Sequence, residues 1–256
     1  MSGAVILPGT ITLVCAVFAW SLTRQYQQRP RPYKLMWAIA LAMAAIAAGS
    51  FLVFVLNPAN DLAFRLYYLF GACLNVGYLG LGSLYLIVSR PVAQTCLAAL
   101  IVLSVVETAL IFTARVDPAH ARLVSDLVRH GAALPPHLVG QVDAAGKGVL
   151  VRGSWLVLVI IIPILGTLAL CGGALLSAVR VWQRERALTD RVTALLLLAA
   201  GGMIVAIAGF GVRYGNGAGF WLLTALGWVV LFAGFVGTHR APAPAPRQAA
   251  RIARHT

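Results

Sequence analysis

Glu107 is the one acidic residue inside an apolar stretch of this 256-residue chain. An ionisable group at membrane depth is costly, and such groups pair with one another, bind ligands or relay protons. Glu107 shares a helical face with Gln94, Ser104 and Thr108, within an arc of roughly 140°. The preceding apolar stretch carries a second polar face: Tyr68, Gly71, Asn75, Tyr78, Gly82 and Tyr85, at steps of 3, 4, 3, 4 and 3. On an α-helix these six span an arc of roughly 100°. Lipid satisfies neither an Asn nor a phenol, so this face is expected to look into protein.

Two readings of that face stand side by side. In one it is a packing seam, with Gly71 and Gly82 letting helices approach and Asn75 bonding across the interface. In the other it lines a cavity through Asn75, Tyr78 and Tyr85. The candidate ligand-binding residues are Tyr68, Asn75, Tyr78, Tyr85, Gln94, Ser104, Glu107 and Thr108. At about 1.5 Å per residue, Glu107 lies some 9 Å and Arg65 some 5 Å below the same membrane surface. A buried Arg65–Glu107 ion pair is therefore a further candidate, and a lone protonated Glu107 bonded to Ser104 or a carbonyl is a third.

Catalytic signatures are lacking. There is no HExxH, no intramembrane Ser–His or paired-Asp arrangement and no phosphate-binding Gly-Lys loop; Gly217-Ala218-Gly219 reads as a loop. Cys15, Cys73, Cys96 and Cys171 all fall in apolar stretches without disulfide or zinc spacing. The histidines lie outside those stretches or at their edges. His120, His130 and His137 share one connection but no compact ligand motif. The expectation is no enzyme, no metal and no cofactor.

These residues must be held by membrane-spanning helices. The chain is 61% hydrophobic and 11% charged, against about 25% charge in soluble domains. Seven apolar stretches are long enough to span, near 6–22, 35–56, 62–88, 92–113, 154–179, 192–212 and 219–237. The fold class is all-α: a polytopic seven-helix bundle over 1–238 and a disordered basic tail over 239–256. The net charge of +13 sits between the stretches, so it reads as topology signal and lipid headgroup contact rather than as a nucleic-acid surface.

No basic residue precedes the first stretch, so it is not a cleavable signal. Arg24, Arg29, Arg31 and Lys34 follow it, and the later loops alternate in step. Thirteen Lys and Arg fall on the side of the tail and seven on the other. The positive-inside rule then gives N-out, C-in. Two lysines against eighteen arginines, with abundant Ala, fit a GC-rich bacterial genome and hence the inner membrane. The long outer connection, 114–153, contains a short interfacial helix. Asp117 caps it, Pro118 suits its first position and Gly131 its end. Leu123, Val124, Leu127 and Val128 form its apolar face, with an Arg122–Asp126 pair on the other side. Arg152 with Trp155, Arg213 with Tyr214, Trp20 and Trp182 read as interface anchors. Pro163 should kink stretch five.

At an offset of 156, Cys15, Ser21, Arg24 and Gln27 match Cys171, Ser177, Arg180 and Gln183, which reads either as an internal repeat or as chance agreement in low-complexity apolar sequence. Two parallel three-helix units joined by stretch four give a 3-1-3 plan. That plan is similar to the seven-helix sugar carriers of the SWEET class and, more distantly, to microbial rhodopsins. Pro8 and Pro163 stand where such carriers have prolines in helices one and five. Stretches two and six contain none, and the Pro-Gln signature is missing. Stretch seven has no lysine for a retinal Schiff base, which excludes a retinal photoreceptor. The topology, the basic first loop and the aromatic third helix also resemble the seven-helix input modules of some bacterial sensor kinases, although nineteen residues after stretch seven leave no room for a kinase.

The functional expectation is a non-enzymatic membrane protein that binds a lipid or small hydrophobic ligand, as a sensor or an accessory subunit. Its partners would be membrane lipids and a membrane protein or second copy. The alternative is a small SWEET-like solute carrier. A single Cys introduced at Ser2 should react with an impermeant maleimide in intact cells, and one introduced at Ala250 should react only after lysis. The reverse pattern would contradict the N-out, C-in topology.

Overall fold

The computed structural model describes residues 3–130, 136–138, 141–143, 145–184, 189–211 and 217–240. Over these the chain forms eight helices: α1 Gly3–Gln28, α2 Pro32–Leu56, α3 Asp61–Ile87, α4 Arg90–Thr113, α5 Pro118–His130, α6 Trp155–Arg184, α7 Thr189–Gly211 and α8 Gly217–Arg240. All but α5 are long and apolar enough to cross a membrane, which gives seven candidate spans. Among the described residues there is no strand, only an isolated antiparallel bridge between Val116 and Leu150.

Local chemistry sets several boundaries. Pro32 and Pro91 occupy the opening turns of α2 and α4, where a missing N–H costs nothing. The Asn60 side chain accepts from the Ala63 N–H at 3.0 Å and starts α3. Lys34 Nζ donates to the Gln25 carbonyl at 3.3 Å, placing a cation on the last turn of α1. Gly217–Gly219, expected as a loop, instead form the first turn of α8. The breaker signal of two glycines is weak at a helix start, where backbone constraint is least. That helix also continues through His239 and Arg240, placed in the tail on sequence grounds. Residues 241–256, Gly131, Arg213 and Tyr214 lie outside the described residues.

Six spans close into a ring: α1 on α2, α2 on α3, α3 on α6, α6 on α7, α7 on α8, and α8 back on α1. α4 stands outside the ring, against α3 and α6. Every ring helix sends a side chain to the axis: Phe18, Trp37, Leu41, Leu79, Leu170, Leu198, Leu231 and Phe235 surround a residual space of about 10 Å³, too small to hold more than one water. At this level the axis is closed and lined by apolar side chains. Trp37 is fixed there by its indole N–H, which donates to the Leu79 carbonyl at 3.0 Å.

The 114–153 connection folds back on its end of the bundle. Asp117 accepts from the N–H groups of Ala119 (2.9 Å) and His120 (3.2 Å) and so caps α5. The expected face packs on the bundle, with Val124 and Val128 buried and Leu123 and Leu127 half-buried against the core, and α5 also buries Ala121 and Ser125, lying against α1 and α2. Ser125 Oγ donates to the Val55 carbonyl at 2.7 Å, satisfying the last turn of α2. Tyr67 OH donates to the Ala145 carbonyl at 2.8 Å. Gly146, at φ +90, sits where a Cβ would fall 2.6 Å from the Phe64 ring. The expected Arg122–Asp126 pair is absent. Within this connection His120 Nδ1 lies 3.0 Å from Asp117 Oδ2. Arg122 and Asp126 are exposed, where water competes and a pair gains about 0–1 kcal/mol.

The tightest join between helices is backbone to backbone. A Cβ on Gly80 of α3 would lie 2.3 Å from the Gly166 carbonyl oxygen of α6. Gly80→Ala or Gly166→Ala should therefore destabilise the bundle by about 1–3 kcal/mol, read as a lower melting temperature in detergent. Gly172→Ala, where a Cβ meets nothing within 4 Å, should not. Equal melting temperatures in all three would contradict this packing.

Candidate functional site

α3 is not one uninterrupted α-helix. Tyr68–Leu74 is π-helical, and the Asn75 N–H bonds back to the Phe70 carbonyl. A π segment takes up an extra residue and rotates everything beyond it relative to what came before. The six-residue polar face expected at uniform 3.6 spacing is consequently divided among several neighbours. The Tyr68 ring meets the edge of Trp155 at 5.4 Å. Gly71 lies against Ala47 of α2, and Gly82 against the Trp37 ring. Tyr78 OH is 3.4 Å from Ser104 Oγ of α4. Tyr85 is half-buried against the core.

The α3–α4 seam gathers part of the predicted set. Ser104 Oγ donates to the Leu100 carbonyl at 2.7 Å, and Thr108 Oγ1 to the Ser104 carbonyl at 2.7 Å. Both hydroxyls thereby spend their protons on their own helix and keep lone pairs free. Glu107 is 0% exposed, and neither carboxyl oxygen has a hydrogen-bond partner. Asn75 is 6% exposed, and its Oδ1 is equally without a partner. The two helices are consecutive and antiparallel. The Tyr78–Ser104 contact therefore sets a register in which Asn75, three residues back, stands level with Glu107, three residues on. Gln94 is exposed and takes no part, because at that end of α4 only Ala93 is buried.

The expected Arg65–Glu107 pair is not formed. The Arg65 guanidinium donates instead to the Ile111 carbonyl of α4. Ile111 lies in the last turn of α4, where carbonyls have no intrahelical partner and attract a cation. Depth counting puts Arg65 and Glu107 within reach, but Arg65 lies near the start of α3, opposite the last turn of α4. The register thus places at one level three buried oxygens without a hydrogen-bond partner, two of them on a carboxyl group. It is suited to a ligand that donates hydrogen bonds or to an exchangeable proton.

Three features of this arrangement had little sequence signal. The π segment has none in composition or spacing. Trp37 reads as a bulky apolar residue, not as a buried donor to α3. On α8, Trp221 Nε1 and Thr224 Oγ1 are also buried without partners, and the Trp221 ring packs at 4.5 Å on Phe51.

Removing an unpartnered buried carboxyl leaves no orphaned counter-charge, so Glu107→Leu should keep or raise the melting temperature. Arg65→Gln should lower it, and the double variant should be additive within about 0.5 kcal/mol. A coupling energy well above that would restore the ion pair and contradict this geometry.

No family model matches the chain, and neither a curated protein nor a solved structure matches it.

Proposed function

We propose that the chain is a non-enzymatic integral membrane protein that binds a lipid or small hydrophobic ligand at the α3–α4 seam, acting as a sensor or as an accessory subunit of a membrane complex. One observation carries this reading: a fully buried Glu107 whose two oxygens have no protein partner, level with the unpartnered Oδ1 of Asn75. Buried polar groups are as a rule satisfied, and exceptions call for something that completes them. A hydroxyl or amine of an amphiphile would donate to these oxygens. The peripheral position of α4 supports lateral entry. Of its residues only Ala93, Glu107 and Ile111 are buried, and its far side offers Val102, Val105 and Phe112 to acyl chains. In this reading the protein sits N-out, C-in in a bacterial inner membrane.

The SWEET-like carrier remains the second reading. It is favoured by the order of contacts, since α1-α2-α3 and α6-α7-α8 run the same way round the ring with α4 left out. The apolar axis weighs against it. A polar solute would have to pass Phe18, Trp37 and Phe235 with no hydrogen-bonding group to replace its water.

Native mass spectrometry of gently extracted protein should show a bound species in the wild type. Glu107→Gln and Asn75→Leu should lose it while keeping the melting temperature. The same species at the same occupancy in both variants would contradict the seam as the site. Saturable uptake of a polar solute into proteoliposomes, unchanged by either variant, would favour the carrier.

A further inference from the structure

At the end of the bundle that carries the 114–153 connection, a cleft of about 270 Å³ opens between the end of α4 and the start of α6. The backbone builds it. The Val151 N–H donates to the Arg115 carbonyl at 2.9 Å, and the Asp117 N–H to the Val149 carbonyl at 2.8 Å. These bonds clamp the two chain segments that leave α4 and enter α6. Arg115 and Arg152 line the cleft from opposite segments, together with Thr113, Ser154, Leu110 and Trp155.

The Trp155 ring is a fixed wall. It is 5% exposed, and its Nε1–H is committed to the Val151 carbonyl at 3.0 Å. Both arginines are exposed. Neither has a carboxylate partner among the described residues. The cleft also sits at the amino end of the 30-residue α6, where the helix dipole favours negative charge. Two guanidiniums without an ion-pair partner, the Ser154 hydroxyl and no acidic lining residue favour an anion, while the Thr113 hydroxyl is committed to the Ala109 carbonyl at 2.8 Å. Guanidinium forks match phosphate oxygens bidentately. The volume equals about nine waters, more than a lone phosphate needs. The position, at the ends of two candidate spans, is that of a lipid headgroup.

We infer that this cleft binds a phosphate group through Arg115 and Arg152, with Trp155 and Leu110 seating the apolar part of the molecule that carries it. Two sources share this chemistry: the phosphodiester of an anionic phospholipid and a soluble phosphate. The inference names a headgroup site distinct from Glu107. It rests on the lipid-ligand reading only for the choice between those sources.

The test uses the full chain, delipidated in detergent and titrated with phosphatidylglycerol or phosphatidylcholine, each with and without inorganic phosphate, and read by native mass spectrometry. The wild type should retain phosphatidylglycerol about tenfold better than phosphatidylcholine. Arg115→Gln and Arg152→Gln should each lower that preference, and the double variant should abolish it at an unchanged melting temperature. Arg122→Gln, which removes the same charge from the exposed side of α5, should keep the preference, as should Glu107→Gln; failure of the Glu107 seam therefore leaves this result unaffected. Binding of inorganic phosphate alone, lost in the double variant, would support the site with a soluble source. An undiminished preference in the double variant, or an equal loss in Arg122→Gln, would overturn it.

Discussion

The approach of Gly80 to Gly166 joins the two halves of the ring. A Cβ on Gly166 would lie 2.4 Å from the Val76 carbonyl oxygen, so backbone touches backbone on both sides of the contact. Burying apolar surface drives folding in water, but acyl chains are as apolar as Leu. Spans in lipid must instead be held by close packing and by polar bonds. Small residues therefore sit where helices cross. A Cβ on Gly234 of α8 would meet the Leu198 nitrogen of α7 at 2.7 Å, and one on Gly201 of α7 the Leu231 nitrogen at 2.6 Å. With α3 pressed this closely to α6, no room remains for α4 within the ring. It is displaced to the periphery, where its one carboxyl faces the seam.

That displacement gives Glu107 its meaning. Several other polar groups of the spans are satisfied by short local bonds, although Trp221 Nε1 and Thr224 Oγ1 of α8 are not. Thr12 and Thr23 donate to carbonyls one turn back at 2.9 and 2.8 Å, and Trp37 bonds to Leu79 across helices. Arg65 finishes the open end of α4. Against that pattern, acceptors left bare at Asn75 and Glu107 stand out on adjacent helices, beside the π segment. Such unpaired groups cost folding free energy. Among the described residues three such atoms belong to Asn75 and Glu107, and two to Trp221 and Thr224 of α8.

Much of the architecture was legible in the amino-acid sequence, because lipid imposes a length and an apolarity that any spanning helix must meet. All seven stretches became helices with ends shifted by a few residues, generally outward into polar turns such as Thr23–Gln28. The cap of α5 was legible from Asp117-Pro118, since side-chain capping is local. What depends on how helices meet was not legible. The π segment at Tyr68–Leu74 broke the 3.6 periodicity that had placed six residues on one face. Arg65 found a carbonyl rather than a carboxylate, because depth counting cannot see an open helix end competing for the cation. Gln94 shared an arc with Glu107 but not its burial, because α4 touches the bundle along only part of its length.

The central claim is that Glu107 and Asn75 are completed by something other than protein. Its most direct test is a high-resolution density map of the full chain extracted with its native lipids. The account predicts non-protein density within hydrogen-bonding distance of the Glu107 carboxyl group, in the seam between α3 and α4. A map with no such density, and with Glu107 bonded to a protein carbonyl or to Arg65, would contradict it.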